Sequence, residues 1–207
     1  MALRILGRLT SINVRKVLWL ADEMGLAYER EDWGMPLRDP KVPEFLELNP
    51  NGLVPVLVDG DYVLWESSAI MAYLARAFGP TPLAPEEARA RGLCDQWLIW
   101  QGSEMASVWG YAVMALARKV PGYDDETKIG ESLERWTAKM RILDAQLGRT
   151  PFVAGDAMTM ADIAVGLAVH RWFSVDREIE PMPNAAAYLE RLRSESKGGS
   201  YLTDRTP

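Results

Sequence analysis

Residues 49–68, NPNGLVPVLVDGDYVLWESS, hold the types and spacings best suited to chemistry. An apolar run over residues 53–58 carries Pro55 near its start. Proline gives no N–H to a ladder and is normally kept out of central strands. At the entry to a buried strand it predicts a special turn with a cis Val54-Pro55 bond. The backbone of Val54 would then stay unpaired at the sheet margin and accept an extended peptide. Asp59-Gly60-Asp61 is a hairpin signal, and Tyr62-Val63-Leu64 a second short strand. Glu66-Ser67-Ser68 precedes an apolar helical pattern, as capping residues do. A helix start offers free N–H groups and a positive dipole end, which suit a carboxylate. The chemistry is therefore binding: a backbone ladder for a peptide and an anion hole for its terminus.

Other chemistries lack residues. No metal-ligand spacing, phosphate loop or Ser-His-Asp arrangement is present. The one histidine, His170, sits in HRWF and reads as structural. The one cysteine, Cys94, excludes an intramolecular disulfide and reads as a core thiol. With 48% hydrophobic and 25% charged residues, the chain has a globular composition, and its 207 residues suffice for one large or two small domains. A net charge of -6 argues against nucleic acid or an anionic membrane as partner. The apolar run at residues 1–4 is too short for a signal peptide, and residues 161–169, interrupted by Asp162, are too short to span a bilayer. The expected compartment is the cytoplasm.

The elements that must position the site read as follows. Residues 3–6 are a strand, 7–13 a polar loop, and 14–24 a helix stopped by Gly25. Residues 28–32 form a second strand, 33–42 a loop with Gly34, Pro36 and Pro40, and 43–48 a short helix with proline first. After the central stretch comes a helix over 67–78. The order βαβαββα is thioredoxin-like. Residues 80–85 read as a linker between a domain at 1–79 and an all-helical one at 86–207. The second domain carries helices over 86–117, 124–147, 161–173 and 184–192, the last capped by Asn184, and a polar, mobile tail. Thr159-Met160-Ala161-Asp162 is a capping-box variant with a structural role, and Asp162 is expected to be buried and hydrogen-bonded.

An α/β domain with V-P followed by E-S, joined to an all-helical domain with S/T-x-x-D, resembles the soluble, bacterial theta- and nu-like glutathione transferases over nearly the whole chain. The resemblance implies a glutathione site. Val54-Pro55 would pair through the Val54 backbone with the cysteinyl unit. Glu66 and Ser67 would hold the γ-glutamyl ammonium and carboxylate, and Lys41 the glycine carboxylate. Asp95, in CDQWLIWQ, would reach the ligand of a neighbouring subunit in a homodimer. Ser11-Ile12-Asn13-Val14-Arg15 is similar to the S-x-P-x-R segment of theta-type enzymes, with Asn13 where proline is usual. It is also similar to the T-P-N-x-x-K pattern of nu-type enzymes. Ser11 and Asn13 are thus the candidates for activating the thiol, ahead of Thr10. Leu53 departs from the Gln or Lys usual before V-P and removes a polar contact to the peptide.

A free thiol titrates near 8.5, and lowering that by about two units takes roughly 2.7 kcal/mol. Hydroxyl or amide donors at a helix N-terminus are the expected means. The function implied is transfer of glutathione to a small hydrophobic electrophile, with glutathione as co-substrate and no metal. The alternatives are nu-type disulfide reduction, or glutathione or ligand binding without turnover. The acceptor is expected near Trp97, Trp100, Met105, Trp109, Tyr111 and Met114, each of which equally suits a packing core.

Overall fold

The computed structural model describes residues 3–203. Residues up to Thr81 form one compact unit and those from Pro82 a second. The first unit runs β1 (Leu3–Leu6), α1 (Ile12–Glu23), β2 (Tyr28–Glu31), α2 (Pro43–Leu46), β3 (Val56–Asp59), β4 (Tyr62–Trp65) and α3 (Ser67–Ala77). This is the expected βαβαββα order. The four-stranded sheet has the order β2-β1-β3-β4, with β1 parallel to β2 and β3 antiparallel to both its neighbours.

The strand residues explain the layers. Side chains alternate across a sheet. Leu6, Val56 and Val58 therefore share one face, where they pack with Trp33 and the Phe45 of α2. Ile5 and Leu57 point to the other face and are fully buried, where α1 and α3 pack together. Gly60 takes φ 63° in the turn that pairs Asp59 with Tyr62, a backbone conformation glycine adopts without strain. The Tyr73 hydroxyl on α3 donates to Asp59 at 2.7 Å. That bond to a carboxylate holds its phenol up to about 12.

The helix at 14–24 begins two residues earlier than expected, at Ile12, with Ser11 at its N-cap. Asn13 therefore lies in the first helical turn rather than in the preceding loop. Gly25, at φ 68°, ends α1 as expected.

The second unit contains α4 (Ala88–Trp100), α5 (Gly110–Ala112), α6 (Glu126–Leu147), α7 (Met160–Phe173) and α8 (Pro183–Glu195). The core helix is α7, buried on every side from Met160 to Trp172. Trp136 lies between Trp109 and Trp172, edge-on to each, with ring centroids 5.6 and 5.0 Å apart. Glu87 and Asp125 cap α4 and α6 by accepting first-turn N–H groups. No helix among the described residues is long and apolar enough to cross a membrane.

Three expectations for this unit are corrected. The helix over 86–117 is not continuous. After α4, π-helical turns at Gln101–Met105 and Val113–Ala117 flank a break. Buried Ser132 of α6 enters that break: its Oγ donates to the Val108 carbonyl at 2.7 Å and accepts from the Ala112 N–H at 3.2 Å. The backbone groups lost to the helix are satisfied from another element. Asn184 does not cap α8, which starts at Pro183 with Met182 at the N-cap. Its amide instead donates to Asp144 Oδ2 at 2.9 Å. Residues 194–200, expected to be mobile, instead contain a 3₁₀ turn at Lys197–Ser200, capped by Ser196 and followed by buried Tyr201 and Leu202.

Asp162 is buried, as expected. It accepts from the N–H groups of Val153 and Thr159 at 2.9 and 2.7 Å, and from the hydroxyls of Thr159 and Tyr188 at 3.0 Å each. Burial pushes its carboxyl up, and these donors work against that shift. Cys94 is buried too, and burial raises its thiol.

Candidate active site

A small open cavity of about 50 Å³ lies in the first unit. It is lined by Asn13 of α1, by Asn49, Asn51, Leu53, Val54 and Pro55, and by Glu66 and Ser67. Five of the lining positions were named from sequence as site residues: Asn13, Val54, Pro55, Glu66 and Ser67.

Local chemistry explains how each arrives there. Val54-Pro55 is cis, as expected. Pro55 stands just outside β3, so its missing N–H interrupts no ladder. A side chain at Gly7 would strike Val14 Cγ2 at 2.3 Å and Val54 Cβ at 3.2 Å. Glycine there lets the start of α1 close onto Val54. Glu66 holds φ 72° and ψ 111° as the N-cap of α3. This conformation is unfavourable for a residue with a Cβ. It turns the chain sharply from β4 into α3 and leaves Ser67, only 6% exposed, at the first helical position.

The two helix ends at the cavity favour an anion. The first turns of both α1 and α3 contain no acidic residue, and neither helix has a side-chain cap hydrogen bond. Asn13 and Ser67 belong to those first turns and line the same cavity. Two positive dipole ends with orphan N–H groups thus face one small space. The helix ends suit a carboxylate, while the Glu66 carboxylate, which lines the same space, suits a cation.

The other candidates stand as follows. Ser11 precedes α1. Its N–H donates to the Arg8 carbonyl at 3.1 Å and its carbonyl accepts from Arg15 at 3.0 Å. Its hydroxyl makes no cap bond. Lys41 is exposed and its Nζ donates to the Asn51 carbonyl at 2.7 Å. The ammonium passes over Gly52, where a Cβ would meet Lys41 Nζ at 2.8 Å and where φ is 59°. Asp95 lies half-buried on α4 in the second unit and is not among the lining residues. Met105 and Trp109 are buried core residues, and His170 is 2% exposed. Among the described residues no group of three or more His, Cys, Asp or Glu is placed to hold a metal ion.

Asn49 was not singled out from the sequence. It is 3% exposed, lines the cavity and bonds the loop around it. The turn sequence Asn49-Pro50-Asn51-Gly52 was its visible sign.

The strain at Glu66 gives a test that separates stability from binding. A residue held in such a region loses about 1–3 kcal/mol. Glycine relieves most of this but loses more chain entropy on folding. Glu66→Gly is expected to raise the thermal midpoint by about 2–4 °C while weakening the hold on an ammonium group. A lower midpoint in calorimetry would show that the conformation is not strained.

Comparison with known proteins identifies the family. Residues 10–77 match the family model described as glutathione S-transferase, N-terminal domain. Residues 107–191 match glutathione S-transferase, C-terminal domain. The chain is 33% identical over 188 residues to the glutathione S-transferase GstB of Escherichia coli, covering 90% of each. It is 30% identical over 189 residues to glutathione S-transferase D7 of Anopheles gambiae, covering 90% of this chain and 84% of that one. The crystal structure of a theta class glutathione S-transferase from Xanthomonas axonopodis pv. citri, with glutathione bound, superposes with a TM-score of 0.88 at 36% identity, covering 93% of each chain. The chain belongs to the glutathione S-transferase family.

Proposed function

We propose that this protein binds glutathione in the cavity of its first unit, stabilises the thiolate and transfers it to a small hydrophobic electrophile. The observation that carries the reading is the convergence of the Val54 backbone, Glu66-Ser67 and the first turns of α1 and α3 on one space. The reading is supported by relatives named as glutathione S-transferases and by a neighbour that holds glutathione.

Each group has a role that follows from its chemistry. The Ser67 hydroxyl and the N–H groups of α3 receive the γ-glutamyl carboxylate. Glu66 takes the ammonium. Val54 pairs with the cysteinyl unit through its backbone, as an edge strand pairs with a peptide. Lys41 leaves the Asn51 carbonyl for the glycine carboxylate. Ser11 and Asn13 donate to sulfur beside the dipole of α1, which favours thiolate over thiol. The working unit is a homodimer in which Asp95 of one copy approaches the ligand held by the other. Leu93 and Ile99, 46% and 64% exposed on the same helix as Asp95, support self-association there.

Ser11→Ala is expected to lower turnover at least about tenfold, with glutathione affinity little changed, because the lost donor acts on the thiolate. Steady-state rates and the ultraviolet absorbance of bound thiolate against pH read this out. Equal turnover in Ser11→Ala, with the loss appearing instead in Asn13→Ala, would move the role to Asn13.

A second reading is glutathione-dependent disulfide reduction. It is favoured by Asn13, which lines the cavity where Ser11 does not. A panel of electrophiles and disulfides assayed with glutathione separates the two reactions.

A further inference from the structure

Arginines on β1, β2 and the loops beside them are matched with acids. Arg4 pairs with Glu31, its Nε donating to Glu31 Oε1 at 2.7 Å. Arg30 pairs with Asp32 and donates to the Gly7 carbonyl at 3.1 Å. Arg38 lies 3.6 Å from the centroid of the Trp33 ring and pairs with Glu44 at 2.5 Å. Arg8 differs. It is half-buried, yet among the described residues its side chain has no hydrogen bond and no carboxylate partner. Acidic side chains outnumber Lys and Arg in this chain, 29 to 23, so acids are not scarce.

The stem of Arg8 is held against the loop after β2. A Cβ at Gly34 would meet Arg8 Cδ at 3.3 Å and Nε at 3.4 Å, so the side chain passes across the bare backbone of that glycine. Gly34 opens a tight turn in which its N–H donates to the Arg38 carbonyl at 2.7 Å. That turn carries Met35 and Leu37, 60% and 58% exposed, and Leu9, next to Arg8, is 46% exposed. Apolar side chains thus flank an unpaired cation. Two contacts place it relative to the cavity. The Arg8 carbonyl accepts from the Ser11 N–H at 3.1 Å, which closes a turn onto the expected thiol donor. Gly7, just before it, lies against Val54, where a Cβ would come within 3.2 Å of Val54 Cβ. In the glutathione reading Arg8 therefore stands at the sulfur end of the ligand, away from the carboxylate ends served by Ser67 and Lys41.

We infer that Arg8 selects the second substrate, an electrophile with an apolar body and a carboxylate. The inference rests on the glutathione reading of the cavity and narrows it. A planar guanidinium matches a carboxylate with two parallel hydrogen bonds, and Leu9, Met35 and Leu37 suit the apolar body. With an aryl chloride as acceptor, the thiolate attacks the carbon that bears chlorine. The S–C bond forms, the C–Cl bond breaks, and chloride leaves with the bonding electrons. The carboxylate takes no part in bond making; held by Arg8, it orients the reacting carbon toward sulfur.

The test compares two aryl chlorides activated by nitro groups, a chlorodinitrobenzoate and the matching chlorodinitrobenzamide. They are alike in size and differ by one charge. For each, kcat/KM at saturating glutathione is divided by the uncatalysed rate constant with glutathione, which removes intrinsic reactivity. In wild type this value is expected to favour the carboxylate about tenfold or more, as a hydrogen bond between charged groups permits. The net charge of -6 works against such a preference, so it must come from a local cation. Arg8→Gln is expected to bring the ratio close to one, and Arg8→Lys, which keeps the charge without the fork, to retain part of it. Wild type without the preference would overturn the inference whatever the variants do. Equal losses on both acceptors in Arg8→Gln would also overturn it, since the charge would then act on the thiolate and not on the acceptor. Calorimetry with glutathione separates the two readings. Glutathione binding without acceptor preference overturns the role of Arg8 alone, and no glutathione binding overturns the functional reading and this role with it.

Discussion

Replacing Asp162 with alanine is expected to remove about 4 kcal/mol or more of stability, enough to leave much of the chain unfolded at ordinary temperatures. The carboxylate is fully buried and receives four donors. Alanine leaves the Val153 and Thr159 N–H groups facing apolar space, and each buried donor without a partner costs about 1–3 kcal/mol. The Tyr188 hydroxyl keeps only the longer contact to the Asp162 carbonyl at 3.2 Å. These losses strike one place, where the loop before α7 meets α7 and α8. Asp162→Asn separates shape from charge. Its volume is unchanged, but its NH₂ group must face a donor, so a smaller loss of about 2 kcal/mol is expected. Denaturant unfolding of the three proteins measures this. A midpoint for Asp162→Ala close to wild type would mean that water replaces the carboxylate, and that the capping box is not what holds α7.

Local rules explain which parts of the fold were legible. β1 reads correctly because LRIL is short, apolar and followed by Gly7. Pro55 before an apolar run has few compatible backbones, so the turn at Val54 follows from proline chemistry alone. Thr159 and Asp162 read correctly because a capping box is contained in four residues. The errors arose where a distant residue decides. The break after α4 depends on Ser132, which lies 20 and 24 residues away from the two backbone groups it satisfies. An apolar periodicity continues across that break and hides it. Asn184 has the right type and place for a cap, but Asp144 on α6 takes its amide, and Pro183 already starts the helix.

For the candidate cavity, the lining rather than the chemistry was legible. Val54, Glu66 and Ser67 are adjacent in sequence to the turns that present them. Asn49 carries no distinctive sequence signal, because its burial and hydrogen bonds are set by the fold and asparagine in a turn is common. The Leu53 side chain stands 62% exposed beside the cavity. It offers no hydrogen bond, so only backbone groups of this loop are left to pair with a peptide.

Ser67→Ala is expected to abolish calorimetrically detectable glutathione binding while leaving the thermal midpoint close to wild type. The two halves have separate causes. A hydroxyl donating to a carboxylate contributes about 1.5–3 kcal/mol, or roughly ten- to a hundredfold in affinity. In this cavity no Lys or Arg is among the lining residues to replace it. Stability is spared because the Ser67 side chain makes no cap bond to α3, and alanine is the best helix former. Titration of both proteins with glutathione, alongside their melting curves, decides the matter. Wild type that fails to bind would sink the transferase reading and leave a family fold awaiting another thiol ligand or a protein partner. Binding by both proteins with equal affinity would transfer the carboxylate to the N–H groups of α3 alone. In that case the left-handed Glu66, which sets the direction of those groups, becomes the residue on which recognition depends, and Glu66→Gly is the variant that must lose affinity.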